Sequence, residues 1–475
     1  MTMRRCGDVT QNVTTSALVS LAMPFPEPAP DTSAPAPVPF GQALLFWLKL
    51  GFVSFGGPAG QIALMHTELV ERRRWISEKR FLHALNFCMV LPGPEAQQLA
   101  TYIGWLMHRT RGGIVAGTLF VLPSLVLLVA LSWVYVAFGN LPVVAGLFYG
   151  IKPAVTALVL HATHRIGTRS LRNGWLWAVA GAAFVAIFAL QLPFPAIVLA
   201  AAVVGWFGGR RWPAVFVIGG GHKTGAASYG AALIDDDTPT PAHALFNRAY
   251  LIRVLAAGFG LWAATMGLLV ALNGIEGTFT AMAWFFTKAA LMTFGGAYAV
   301  LPYVYQGAVE QFHWLSATQM IDGLALGEST PGPLIMVVAF VGFIGGWLHN
   351  GFGPAGMFLS GTIAACVATF FTFLPSFVFI LAGGPLVEST HGNRRFTAPL
   401  TAISAAVVGV ILNLALFFAY HVLWPAGFSG RFDYASALIT LAAAVALFRF
   451  KVGVMPLLGC CAVAGLVIHL VRGPF

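Results

Sequence analysis

Long apolar stretches separated by short polar loops run along almost the whole chain from residue 40 onward. Those at roughly 81–108, 112–138, 141–162, 174–192, 249–273, 321–348, 354–384, 398–420 and 452–471 approach or exceed the ~20 residues a helix needs to cross a ~30 Å hydrocarbon core. Shorter ones at about 40–56, 194–209, 280–296 and 435–449 are marginal. Inside lipid the backbone must satisfy its own hydrogen bonds, so this pattern predicts an all-α integral membrane protein.

The pattern occurs twice. Phe55-Gly56-Gly57 is followed 37 residues later by Pro92-Gly93-Pro94, and Phe294-Gly295-Gly296 is followed 37 residues later by Pro331-Gly332-Pro333. One offset, 239, maps the first set onto the second and also pairs Lys49 with Lys288, Glu71 with Glu310, Trp75 with Trp314 and Ser77 with Ser316. After a 13-residue insertion the offset becomes 252, pairing Pro123-Ser124 with Pro375-Ser376. The chain is therefore a tandem repeat. The expected organisation is a Pro/Ala-rich disordered tail at 1–39, a first membrane repeat at 40–210, a polar linker with an unpaired helix at 211–279, and a second repeat at 280–475.

Composition agrees with a lipid environment, since 58% of residues are hydrophobic and 9% charged, against about 25% charged in soluble domains. The net charge of +10 sits in loops between apolar segments, where orientation in the membrane explains it, and nucleic acid is not an expected partner. The five cysteines show neither CxxC nor metal spacing, and no P-loop, nucleophile elbow or HExxH occurs. No catalytic residue, metal or cofactor is expected.

Each half holds six apolar segments, with 249–273 unmatched between them, so the second half should enter the membrane from the opposite face. Two inverted halves around a central site is an arrangement of secondary transporters. Charges support it: the first Gly-Gly loop carries Arg72, Arg73, Arg74, Lys79 and Arg80, whereas its counterpart at 301–319 has no Lys or Arg. The amino terminus is expected in the cytoplasm and the carboxyl terminus outside. Thirteen full spans would put the basic loop 61–80 outside; nine spans plus four re-entrant elements, turning at the Gly-Gly and Pro-Gly-Pro breaks, would keep it inside. The charges favour the second count.

The breaks are the candidate chemistry. Gly56, Gly57, Gly295 and Gly296 permit unusual backbone angles, and Pro94 and Pro333 suit a first helical position, so Pro92-Gly93-Pro94 and Pro331-Gly332-Pro333 should each end one half-helix and begin another. Half-helix amino termini carry about half a positive charge and uncapped donors, a seat for an anion. Simple packing kinks are the plainer alternative; duplication beside intramembrane charges favours a site. Lys49 and Lys288, six residues before each Phe-Gly-Gly, are either anion ligands or snorkel to the nearest interface. Lys152 is a lone candidate of the same kind, matched by Ser404. Glu95 and Glu328 flank the two Pro-Gly-Pro motifs unequally and read as ion-pair partners ahead of proton carriers. Gln97, Gln98 and Thr101 in the first half, and Ser329 and Thr330 in the second, could hydrogen-bond an oxyanion. Trp75 and Trp314 read as interfacial anchors, and Ser77 and Ser316 as helix caps.

At these residues the chain resembles the long-chain chromate ion transporter family, through FGGPAGQIALMH (Phe55 to His66), LPGPEAQQLATYIG (Leu91 to Gly104), TFGGAYAVLP (Thr293 to Pro302) and STPGP (Ser329 to Pro333). The resemblance spans about residues 40–471. It implies a two-half inner-membrane carrier that exports chromate, a tetrahedral dianion like sulfate, and so confers chromate resistance. Sulfate or another oxyanion is an alternative substrate, and an anion channel an alternative class. The implied partners are chromate, sulfate, the lipid bilayer and, left open, further copies of the chain.

Overall fold

The computed structural model describes residues 35–139, 141–216, 229–239, 241–294, 296–349, 352–389 and 397–472; nearly all of the expected tail and Gly295 lie outside the described residues. The first half runs α1 (Phe40–Val53), α2 (Gly57–His66), α3 (Glu78–Cys88), α4 (Glu95–Phe138), α5 (Pro142–Ser170), α6 (Gly174–Phe188) and α7 (Phe194–Arg211), followed by the short α8 (Pro213–Phe216). After α9 (Arg248–Asn273), the second half runs α10 (Thr278–Leu291), α11 (Ala297–Tyr305), α12 (Ala317–Ser329), α13 (Val337–Leu348), α14 (Met357–Ser389), α15 (Thr397–Leu423), α16 (Tyr434–Phe448) and α17 (Val454–Arg472). Among the described residues the β pairing is confined to an isolated bridge between Ile76 and Ile234. Stretches of α4, α5, α9, α14, α15 and α17 are long and apolar enough to cross a membrane. The fold is that of an all-α membrane protein.

Like residues give like local structure at the offset of 239 read from the sequence. Thr67–Arg72 and Gln306–Gln311 both form a wide π-helical turn. Arg74 and His313 both take a left-handed backbone, with φ 51° and 52°. Ser77 and Ser316 then cap α3 and α12 by accepting the backbone N–H groups of Arg80 and Gln319. Trp75 and Trp314 are buried among protein side chains rather than projecting as anchors, because Trp75 stacks edge-on against Phe46 and Trp314 lies flat on Phe312.

The 44-residue α4 is two helices. His108 and Arg109 leave helical geometry (Arg109 φ 56°, ψ −160°), and the chain reverses there. A β-carbon on Gly117 would stand 2.2 Å from Thr101 Oγ1, and one on Gly104 would stand 2.6 Å from the Gly112 carbonyl, contacts a continuous helix could not make at 1.5 Å per residue. Gly104, Gly112, Gly113 and Gly117 let the two arms approach at backbone distance. In the second half α13 and α14 form the same hairpin through Gly342 and Gly346 against Ala364. The insertion that shifts the repeat offset falls at this reversal, where the tight turn at His108–Arg109 becomes the connection from His349 to Gly356.

The halves interlock. α5 of the first half packs against α16 and α17 of the second, and α15 of the second packs against α6 and α7 of the first. Small residues make this possible: a β-carbon on Gly150 would stand 1.9 Å from the Cys461 carbonyl, and one on Gly409 would stand 2.0 Å from the Ala180 carbonyl. By contrast α9 buries none of its residues, which suits a connecting helix on the lipid-facing perimeter. The linker ahead of it is pinned to the basic loop: Leu233 and Ile234 donate N–H groups to the carbonyls of Arg74 and Trp75, and Asp236 accepts from Ser77 and lies 3.7 Å from the Lys79 ammonium.

Candidate functional site

Two backbone crossings join the halves at the duplicated breaks. The N–H of Gly93 donates to the Thr293 carbonyl at 2.7 Å, and the N–H of Gly332 donates to the Ser54 carbonyl at 2.8 Å. Adding 239 to Gly93 and Ser54 gives Gly332 and Thr293, so each half donates the bond it receives, the pattern of a two-fold relation. The flanking prolines have no N–H, which leaves each glycine as the one backbone donor of its tripeptide. Both glycines sit at positive φ, 132° and 104°, where a β-carbon is strained.

Helix amino termini gather here. α2 starts after Gly56, α4 after Pro94, α11 after Gly296, and the turn Leu334–Met336 that leads into α13 starts after Pro333; none has a side-chain cap. Their uncapped N–H groups form positive ends, within protein at α4, α11 and Leu334 and partly exposed at α2. At the first crossing a β-carbon on Gly296 would stand 3.9 Å from Glu95 Oε1, so α4 and α11 begin side by side. At the second, the Gln61 amide of α2 donates to the carbonyls of Ser54 and Gly332.

The lining is polar and incompletely paired. Gln61, Gln97, Gln98 and Ser124 are fully buried and Ser376 nearly so, yet Gln61 Oε1, Gln97 Oε1, Gln98 Oε1, Ser124 Oγ and Ser376 Oγ have no hydrogen-bond partner. The other amide atoms are engaged: Gln97 Nε2 donates to Thr101 Oγ1 at 3.0 Å and Gln98 Nε2 to the Pro92 carbonyl at 2.8 Å. Buried polar atoms are nearly always paired; the orphans here are three amide oxygens, which only accept, and two hydroxyls, which can donate. Ser329 and Thr330 instead donate to the carbonyls of Leu326 and Gly327, closing the end of α12.

The charged candidates go to different places. Lys49 lies on an exposed stripe of α1 with Leu45 and Phe52, and Lys288 lies between Trp284 and Leu291 on the matching stripe of α10. The Lys288 ammonium stands 5.8 Å from the Trp284 ring centre. Lys152 has a partner the sequence did not suggest: Asp322 of α12, 3.5 Å away, whose Oδ2 also accepts from the Tyr135 hydroxyl at 2.8 Å. Glu328 takes the Tyr298 hydroxyl. Asp322 was hidden because its repeat position is His83; the available signal was an acid at the start of an apolar segment.

The model of a family described as chromate transporter matches residues 41–206 and 280–466. The chain is 34% identical over 391 residues to a chromate transport protein of Pseudomonas aeruginosa, covering 81% of this chain and 82% of that one. It is 28% identical over 411 residues to a chromate transport protein of Cupriavidus metallidurans, covering 86% and 88%. A probable chromate transport protein of Synechococcus elongatus is 27% identical over 371 residues, covering 78% and 82%. No solved structure matches the chain.

Proposed function

The chain belongs to the chromate transporter family, and we propose that it is a secondary transporter carrying chromate out of the cell across a bacterial inner membrane, giving chromate resistance. The observation that carries this reading is the pair of reciprocal crossings, where uncapped helix starts from both halves meet. A dianion in a membrane needs positive potential and donors without a deep charge trap. Helix ends of about half a charge each, with backbone and hydroxyl donors, supply that.

The odd helix α9 inverts the second half, and the basic loop with its docked linker faces the cytoplasm. Because α5 and α15 are each clasped by the other half, the broken helices move against that frame to alternate access. The inside-negative potential drives a dianion outward by about 4.6 kcal/mol per 100 mV. Sulfate, with the same charge and shape, is the second reading, favoured by helix ends and hydroxyls that act on charge and shape.

The test is uptake of labelled chromate into inverted vesicles holding the protein, with and without a potential and with sulfate as competitor. Saturable uptake that is absent from Gly93→Leu is expected. No uptake under any gradient, with folded protein present, would sink the proposal; large unitary currents would replace it with a channel.

A further inference from the structure

We propose that Ser124 and Ser376 are a symmetric pair of hydroxyl donors to the transported oxyanion, one at each crossing; this rests on the transport reading above. The two serines follow Pro123 in α4 and Pro375 in α14 and match at the repeat offset of 252. Each presses on the Pro-Gly-Pro glycine of the opposite half. Ser376 Oγ lies 2.3 Å from where a β-carbon on Gly93 would stand, and Ser124 Oγ lies 3.1 Å from the same point on Gly332. They therefore stand beside the two glycines whose N–H groups make the crossings.

Their hydrogen bonding departs from the usual helical pattern, as does that of Thr369 in α14. A helical serine or threonine in an apolar setting ordinarily returns its hydroxyl to the carbonyl four residues back. Ser132, Thr163, Thr287 and Thr372 all do so here, at 2.6 to 2.8 Å. Ser124 and Ser376 do not; both are buried, 0% and 1% exposed, and both Oγ atoms lack any partner. An orphan buried hydroxyl is a net loss to the fold unless something binds it. That both copies of a duplicated residue carry this loss, against the same motif, points to a ligand. The motif's uncapped helix starts attract an anion with acceptor oxygens, as a tetrahedral oxyanion is, which meets the hydroxyls and turns away from the acceptor oxygens of Glu95 and of Gln61, Gln97 and Gln98.

The experiment uses Ser124→Ala, Ser376→Ala and the double variant in the full chain. Two quantities are read: the melting temperature in detergent with and without chromate or sulfate, and KM for uptake in inverted vesicles. Removing an unpartnered hydroxyl leaves the anion-free melting temperature unchanged or higher. Each single variant raises KM about ten- to a hundredfold, the range for a hydrogen bond to a charged group, and the double variant loses the anion-induced thermal shift. Wild-type KM and an intact shift in the double variant would overturn the assignment while leaving the transport reading in place. A wild-type protein with neither uptake nor thermal shift would overturn both. A melting temperature that falls in the alanine variants before anion is added would show that the hydroxyls serve packing, and would also overturn it.

Discussion

Lys152 and Asp322 tie the halves together in a way that a double-mutant cycle can measure. The ammonium of Lys152 stands 3.5 Å from Asp322 Oδ2, and the side chains are 27% and 2% exposed. The two partners are therefore not equivalent. Lys152→Ala leaves a carboxylate in the protein interior with the Tyr135 hydroxyl donating to Oδ2 and Oδ1 unpaired. Removing one side of a buried pair in this way costs ~3–5 kcal/mol. Asp322→Asn instead leaves the lysine, which has an open side toward which its long stem can turn, while the amide still accepts from Tyr135. That change should cost about 1 kcal/mol, as for a partly screened pair. The double variant Lys152→Ala, Asp322→Asn buries no charge and should recover at least ~2 kcal/mol of the lysine loss, within the range of coupling between contacting residues. The assay is unfolding in detergent, followed by the monodisperse fraction on size-exclusion chromatography, for the wild type and the three variants. Losses that add to within about 0.5 kcal/mol would show the pair uncoupled. An Asp322→Asn more damaging than Lys152→Ala would refute the argument from unequal burial.

Three further outcomes follow from other parts of the molecule. Gly57→Ala, at φ 68° with nothing within 4 Å of the new methyl, should cost only the left-handed backbone, about 1–2 kcal/mol; Gly93→Ala would place its methyl 2.3 Å from Ser376 Oγ and 2.5 Å from Gln98 Nε2. Chromate uptake should fall at least about tenfold further in Gly93→Ala, a lost charge-assisted contact or worse, and equal uptake would count against the crossing as the site. The double variant Lys49→Ala, Lys288→Ala should keep uptake within about threefold of wild type, as expected for snorkelling charges; a greater loss would assign the lysines as anion ligands. Asp433 caps α16 and accepts the Tyr149 hydroxyl of α5 at 2.6 Å. Burial acts to raise its carboxyl, but the bonds from Tyr149, Ser436 and Ala435 outweigh it and hold the group below the usual range. Its contribution is therefore complete above the unfolded carboxylate pKa of about 3.9 and is lost only as pH falls through the lower folded value. Asp433→Ala should destabilise by about 2–4 kcal/mol at pH 7, from cap and charged hydrogen bond together, and Asp433→Asn by less; equal melting temperatures for all three would show that neither bond contributes.

What the sequence could disclose was the part of the fold that is local and duplicated. Glycine and proline act on the backbone of their own segment, so the repeated breaks, the serine caps of α3 and α12 and the start of α4 were legible from residue order, whereas most of α2 lies in the stretch that reads as the basic loop 61–80. Charge placement was less legible, because an ionisable group in an apolar segment takes whichever partner three-dimensional packing offers. Lys152 needed an acid, and its acid lies 170 residues away on α12, at a position whose repeat equivalent is a histidine. Lys49 and Lys288 matched in sequence as a binding pair would, yet a matched pair on two symmetric outer stripes gives the same signature. Symmetry in the residues therefore fixes that two environments are alike without fixing whether they face inward. The serines reverse that case. Pro123-Ser124 and Pro375-Ser376 served in the sequence only to set the repeat register. Only the fold, by laying each beside the opposite Pro-Gly-Pro, shows that the duplicated hydroxyls were left without partners. An interlocked repeat keeps its chemistry at the contacts between halves, and such contacts are the one property that neither half's sequence encodes by itself.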